Sequence, residues 1–354
     1  MMIRLIRYKL ATLSFNIRLV SSFIRLSVVV ASLSFMSTVS AIPGTDISLL
    51  KVLANLVEAK AQTSTSTTET MKPFSAEFMQ TVIARKGYDN QPYFESSNSL
   101  LFTRQDGEQT DIYRLDLLNH KVTALTRTNV SEYSPTPLGP DSFSTVVADN
   151  GKQTLWIYRS GKAVEKVSGA VEPVGYHAWL STSQLMMFRL AEPHELVLFD
   201  RESGKSRVVA KDIGRTLIAD NAGQVFFAQR QSDGMYLASY QASTDAVTLL
   251  AKLMADREDF AWHRNLGFIS SDGKQLYYLD AATSQWRLID VTLPESIQDI
   301  TRLAIAPNGQ AIAIVHSDVD TASLGSGSVH SGSGQSNSVP SNSDQNNSSD
   351  RDSE

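Results

Sequence analysis

Between residues 87 and 126, short apolar runs alternate with clusters of Gly, Asn, Asp and Ser. Residues 92–94 precede a polar turn at 95–98, and 100–103 precede a turn at Gln105-Asp106-Gly107. Residues 111–115 alternate apolar and polar positions, and 121–126 complete the group. Runs of this length and period, punctuated by turn formers, are strand and hairpin signals. Four of them in about forty residues make one blade of a β-propeller.

The pattern recurs. First-strand matches to Pro92 fall at Pro135, Ala178, Thr216, Ala261 and Leu303, at intervals of about forty residues. Third-strand matches to Asp111-Ile112-Tyr113 fall at Thr154-Leu155-Trp156, Glu195-Leu196-Val197, Gly234-Met235-Tyr236 and Gln275-Leu276-Tyr277. A two-sheet sandwich has short strands but no fixed long period. The sequence therefore predicts an all-β chain, a six-bladed β-propeller of four-stranded blades over residues 42–317. The last blade has two strands at its C-terminal end, 300–306 and 310–315. The missing pair is expected at 45–50, which matches 110–115 by type, and at 78–85. N-terminal strands completing the last blade would leave the ring without a free edge. One segment competes with this reading. Leu49, Leu50, Leu53, Leu56, Val57 and Lys60 have helical spacing. Either the strand ends near Lys51 and hands over to a short helix, or 46–61 is all helix. Residues 62–75 are a polar insertion.

Composition is that of an ordinary globular chain, with 42% hydrophobic and 19% charged residues and a net charge of −5. The first 41 residues differ. They carry Arg4, Arg7, Lys9, Arg18 and Arg25 and no acid, then an apolar run at 26–36, then Val39-Ser40-Ala41. This is the layout of a secretory signal peptide, residues 1–41, with a retained anchor as the alternative. Its removal takes away five positive charges and leaves no membrane span. The remaining acidic chain is a poor nucleic-acid binder. The absence of cysteine removes disulfides, thiolate metal sites and a lipoprotein anchor. Residues 318–354, rich in Ser, Gly, Asn and Asp, lack the apolar content for a core and read as a disordered tail.

Asp111-Ile112-Tyr113, Leu125-Thr126 and the turn Ile305-Ala306-Pro307-Asn308-Gly309 resemble the TolB-type, WD-like propeller repeat. The turns at Ser96-Ser97-Asn98, Thr182-Ser183-Gln184 and Asn221-Ala222-Gly223 depart from it. The resemblance covers residues 44–317 and implies the fold. The TolB proteins carry an extra α/β domain before the propeller, for which the mature chain leaves no room. Their role is therefore not implied.

In a propeller, the loops entering the first strands crowd one face together with the second-to-third strand loops. This places Tyr88, Asp89, Asn90, Tyr133, Tyr176, His177, His194, Arg215, Asp259 and Arg302 at a common mouth, a polar-ligand or peptide site. Glu132, Glu258, Arg104, Asp106, Glu192 and Asp272 join them. Asp89, Glu132 and Asp259 are also candidates for carboxylate chemistry on a glycan by a hydrolase or lyase. Asp89 and Asn90 equally fit a structural role at the seam between last and first blades. Trp179 and Trp262 fit an inter-blade core. The six histidines show no ligand spacing, so no metal is expected, and no cofactor. No nucleophile elbow or phosphate loop occurs within strand–helix context. The expectation is a monomeric, non-catalytic, periplasmic or secreted scaffold for an envelope protein, peptide or cell-wall ligand.

Overall fold

A computed structural model describes residues 43–54, 74–167, 169–220, 222–254 and 257–318. The leader, nearly all of the 62–75 insertion, the helix expected after Lys51 and the tail beyond 318 lie outside these residues.

In chain order the strands are β1 (Thr45–Ala54) and β2 (Ser75–Ile83), then β3 (Asp89–Ser96), β4 (Ser99–Asp106), β5 (Gln109–Asp116) and β6 (Val122–Ala124). They continue with β7 (Ser131–Gly139), β8 (Ser142–Asp149), β9 (Lys152–Arg159) and β10 (Lys162–Lys166), and a 3-10 turn at Gly169–Val171. Next come β11 (Val174–Trp179), β12 (Gln184–Arg189), β13 (Glu195–Asp200) and β14 (Ser206–Lys211), then β15 (Ile213–Ala219), β16 (Gln224–Gln231), β17 (Gly234–Gln241) and β18 (Ala246–Lys252). The last six are β19 (Phe260–His263), β20 (Gly267–Ser271), β21 (Leu276–Asp280), β22 (Gln285–Leu288), β23 (Leu303–Ile305) and β24 (Ala311–Ser317).

They form six four-stranded antiparallel sheets, a six-bladed propeller. Blades one to five are consecutive in sequence. The sixth has the order β2-β1-β24-β23 and so takes two strands from each end of the described chain. Residues 46–54, for which an all-helical form was an alternative, are strand, paired from Thr45↔Ser317 to Lys51↔Ala311. Their helix-like spacing has a physical origin. The β1–β24 ladder is unbroken, so side chains alternate, with Ile47 and Leu49 in the cluster toward blade one and Leu50 and Val52 in the one toward blade five, and a strand covered on both faces shows apolar residues at helix-like intervals.

The core is divided into six apolar clusters, one at each blade junction. Second strands read as continuous apolar runs because both their faces are covered. In β12, Leu185 and Met187 face blade two, and Met186 and Phe188 face blade four. In β16, Val225 and Phe227 pack toward blade three and Phe226 and Ala228 toward blade five. The outer strands are wet, as in β10, where Val164 is exposed. Turn chemistry fits the register. Ser160 and Gly161 at the β9–β10 hairpin both have left-handed φ, 47° and 75°, the I′ geometry that matches strand twist. A Cβ at Gly161 would also meet the Leu125 carbonyl oxygen at 2.8 Å.

Because Leu185 and Met186 serve different junctions and both are fully buried, Leu185→Ala and Met186→Ala should each lower stability by about 2–5 kcal/mol. Chemical denaturation measures both, and an unchanged midpoint for either variant would show that its cluster does not support the fold.

Candidate functional site

Six inner strands, β3, β7, β11, β15, β19 and β23, surround an axial channel with a cavity of about 500 Å³. Two of them carry the same irregularity. The β3–β4 ladder slips between Asn90 and Tyr93, and β7–β8 between Tyr133 and Thr136. The residues before the prolines, Gln91 and Ser134, have φ of 55° and 56°. Pro92 and Pro135 cannot donate to a ladder, so a bulge is their natural place inside a strand. The two bulges are tied together. Gln91 Oε1 accepts the Ser134 amide at 2.8 Å and the Thr103 hydroxyl at 2.8 Å. Tyr93 lines the channel with 46% of its surface exposed.

At the end where inner strands begin, the expected mouth residues come from all six blades. Tyr88, Tyr133 and Tyr176 come from blades one to three, and Arg215, Asp259 and Arg302 from blades four to six. Arg215 clasps Asp259 with both nitrogens, Nη2–Oδ2 at 2.6 Å and Nε–Oδ1 at 3.3 Å. Arg302 Nε reaches Asp259 Oδ1 at 3.4 Å, and the Thr216 hydroxyl donates to the same oxygen at 3.3 Å. Glu258 backs the group, accepting the Arg215 amide at 3.1 Å and lying 3.0 Å from its Nε. Gly214 is required for this approach, since a Cβ there would sit 2.6 Å from Glu258 Oε2. Arg302 Nη2 then donates to the Tyr176 hydroxyl at 2.9 Å, its guanidinium carbon 4.9 Å from that ring centre. Blades three and six are opposite in a ring of six, so this contact is a bar across the channel. Tyr88 is close to the same groups, and burial raises its phenol above the usual range.

Other expected residues are placed differently. Asp89 and Asn90, expected in the loop entering the first strand, lie inside β3 and are buried. The strand starts earlier because they pair with Arg104 and Thr103. Arg104 Nε lies 2.7 Å from Asp89 Oδ1, and Arg85 Nε 2.8 Å from Oδ2 at an angle outside hydrogen-bond alignment. Burial raises the Asp89 carboxyl and the two arginines oppose the shift. The Thr45 hydroxyl donates to the Asp89 carbonyl at 2.8 Å, and Asn90 Nδ2 to Thr45 Oγ1 at 3.3 Å, which fastens β1 to blade one. His177 lies within β11, buried, its Nε2 2.6 Å from Ser144 Oγ and its Nδ1 without a partner. Burial drops its pKa to about 3, so it is neutral. His194 sits in the β12–β13 link against Phe188, with ring centres 4.7 Å apart, and its partners are not those of His177. Asp89, Glu132 and Asp259 each have their own partners. Glu132 accepts hydroxyls from Thr128 at 2.6 Å and Tyr158 at 3.0 Å. Trp262 packs on Phe226 and Trp179 donates to Ser144 Oγ. Among the described residues no group of three metal-ligating side chains is gathered, and no helix is long and apolar enough to cross a membrane.

Sequence reasoning missed the channel wall formed by Tyr93, Ser134, Arg264 and Asn265. The signal was present in Gln91-Pro92 and Ser134-Pro135, prolines within strands.

The six sheets define a six-bladed propeller with a polar group at one end of its channel. No family model and no curated protein matches the chain. Among solved structures, one from Agrobacterium tumefaciens, provisionally assigned to TolB, aligns over 77% of this chain and 99% of its own, with 11% identity and a TM-score of 0.55. TolB from Acinetobacter baumannii aligns over 77% of this chain with 11% identity and a TM-score of 0.47, and the chain spans only 64% of its length. The WD40 propeller domain of Doa1 aligns over 68% of this chain and 81% of its own, with 14% identity and a TM-score of 0.45. The likeness to the Agrobacterium structure is one of fold.

Removing Asp89 would leave two arginines facing an empty, buried position. Asp89→Ala is expected to cost about 3–5 kcal/mol. An unchanged melting temperature would refute the seam role.

Proposed function

We propose that this propeller is an exported, non-catalytic scaffold that binds a periplasmic or envelope protein, peptide or cell-wall ligand at its axial channel. The observation that carries the reading is the channel itself. Its cavity of about 500 Å³ has an exposed Tyr93, bulge-presented Gln91 and a floor of Tyr176, Arg215, Asp259 and Arg302. Sites of this kind combine apolar walls with a few oriented polar groups. The mouth-face group of Tyr88, Tyr133, Tyr176, Arg215, Asp259 and Arg302 forms the polar end of the site. Asp89 and Asn90 serve the seam between β1 and blade one, His177 lines the cavity as a neutral group, and His194 packs on Phe188. The carboxylates are taken up by arginines or hydroxyls, so the arrangement favours holding a ligand over turning one over.

Two measurements test this. The mature protein is expected in the periplasmic or secreted fraction with Ile42 at its N-terminus. Wild type and Tyr93→Ala, both folded, should differ at least about tenfold in recovery of partners from envelope extract, as befits loss of an exposed aromatic anchor. Equal recovery would remove the channel from the reading.

A further inference from the structure

Glu132 and Asp111 form a carboxylate pair that belongs neither to the channel nor to any ion pair. Glu132 is fully buried at the start of β7, and Asp111 is 7% exposed on β5, so the two meet at the junction of blades one and two. The Thr126 hydroxyl lies between them, 3.1 Å from Asp111 Oδ1 and 3.3 Å from Glu132 Oε2. It also accepts the Ile112 amide at 2.9 Å. A hydroxyl has one proton to give. With both carboxyls ionised, Thr126 can donate to one of them only, and the other oxygen faces its lone pair. A proton on Glu132 Oε2 removes the conflict, because Glu132 then donates to Thr126 and Thr126 to Asp111. The remaining groups around Glu132 add no positive charge. Thr128 and Tyr158 donate hydroxyls to Oε1, and Gln109 Nε2 lies 3.4 Å from Asp111 Oδ2. Arg127, between the two threonines in sequence, is exposed and pairs with neither carboxylate.

We propose that the junction of blades one and two is a proton-operated lock, in which a proton on Glu132, hydrogen-bonded through the Thr126 hydroxyl to the Asp111 carboxylate, holds the start of β7 against blade one. Loss of that proton leaves two buried negative charges with no cation and loosens the junction. Burial holds the Glu132 carboxyl up at about 7, within reach of ordinary changes of medium. The segment that would move is tied to the channel wall. The Thr110 hydroxyl donates to the Glu132 carbonyl at 2.9 Å, the Thr145 hydroxyl to the Tyr133 carbonyl at 2.6 Å, and the Ser134 amide to Gln91. The lock stands whether or not the channel binds a ligand.

The sign follows from linkage. A carboxyl with a raised folded-state pKa favours folding while protonated, and that advantage fades as pH rises from its unfolded value toward its folded one. Between about pH 5 and pH 8 the wild-type unfolding constant should therefore rise by up to about a hundredfold more than that of Glu132→Gln. The amide keeps the donor and cannot ionise. In hydrogen exchange corrected for intrinsic base catalysis, the Ser134 amide should lose protection across the same range in wild type and keep it in Glu132→Gln. Parallel pH profiles for the two proteins, or identical Ser134 protection, would overturn the lock. If the variant does not fold, carbon-13 NMR titration of the wild-type Glu132 carboxyl decides. Titration near neutrality supports the lock, and titration in the ordinary carboxylate range overturns it.

Discussion

The constraint on which the rest depends is that no blade can bury its own sheet. Each four-stranded sheet has two apolar faces, and each face is covered only by the neighbouring blade. The core is accordingly six clusters between blades. Leu101 packs toward blade two while its neighbours Leu100 and Phe102 pack toward blade six. Stability must therefore be shared around the ring, since a blade that loosens uncovers two clusters at once. The same demand accounts for β1. Ile47 and Leu50 are fully buried in two different clusters, so β1 contributes to the junctions on both sides of blade six.

Many of the charged side chains gather in one of two places. Some form ion pairs across the outer rim, such as Arg114 with Asp141 at 3.5 Å, Arg257 with Asp299 at 3.1 Å, and Arg201 with Glu165. Exposed pairs of this kind add little each. Others gather at the inner end, where Arg215, Asp259 and Arg302 share partners in a half-buried setting. There the cost of desolvation is met by several contacts to one carboxylate. The inner group joins neighbouring blades through Asp259 and opposite blades through Arg302 and Tyr176. It acts as a hub, whereas each rim pair acts between two neighbours.

The blade period was legible because every blade repeats one burial pattern, and the six inner-end residues were legible because each lies near the start of an inner strand. The bulges were harder to read. Gln91 and Ser134 adopt left-handed φ because Pro92 and Pro135 interrupt the ladder, and proline alone does not say on which side the slip occurs. Asp89 looked like a loop residue because an unpaired aspartate is rare inside a strand. It is tolerated there only because Arg104 and Arg85 arrive from elsewhere in the chain. The pairing of Glu132 with Asp111 is non-local and left no trace in spacing. In 46–54, a strand apolar on both faces and a helix give similar apolar intervals, and only the partner strand β24 separates them.

The pairing of β1 with β24 also has a mechanical side. Thr45 lies beside Ser317, so the two described ends leave the sixth sheet at the same point. A pull applied to those ends would load the ladder one rung at a time, as a zipper is opened. Strands whose loaded ends lie at opposite corners share the force over all rungs together. The propeller should thus resist heat through six shared clusters yet yield readily to tension drawn through its ends, opening first between β1 and β24 while five blades remain folded.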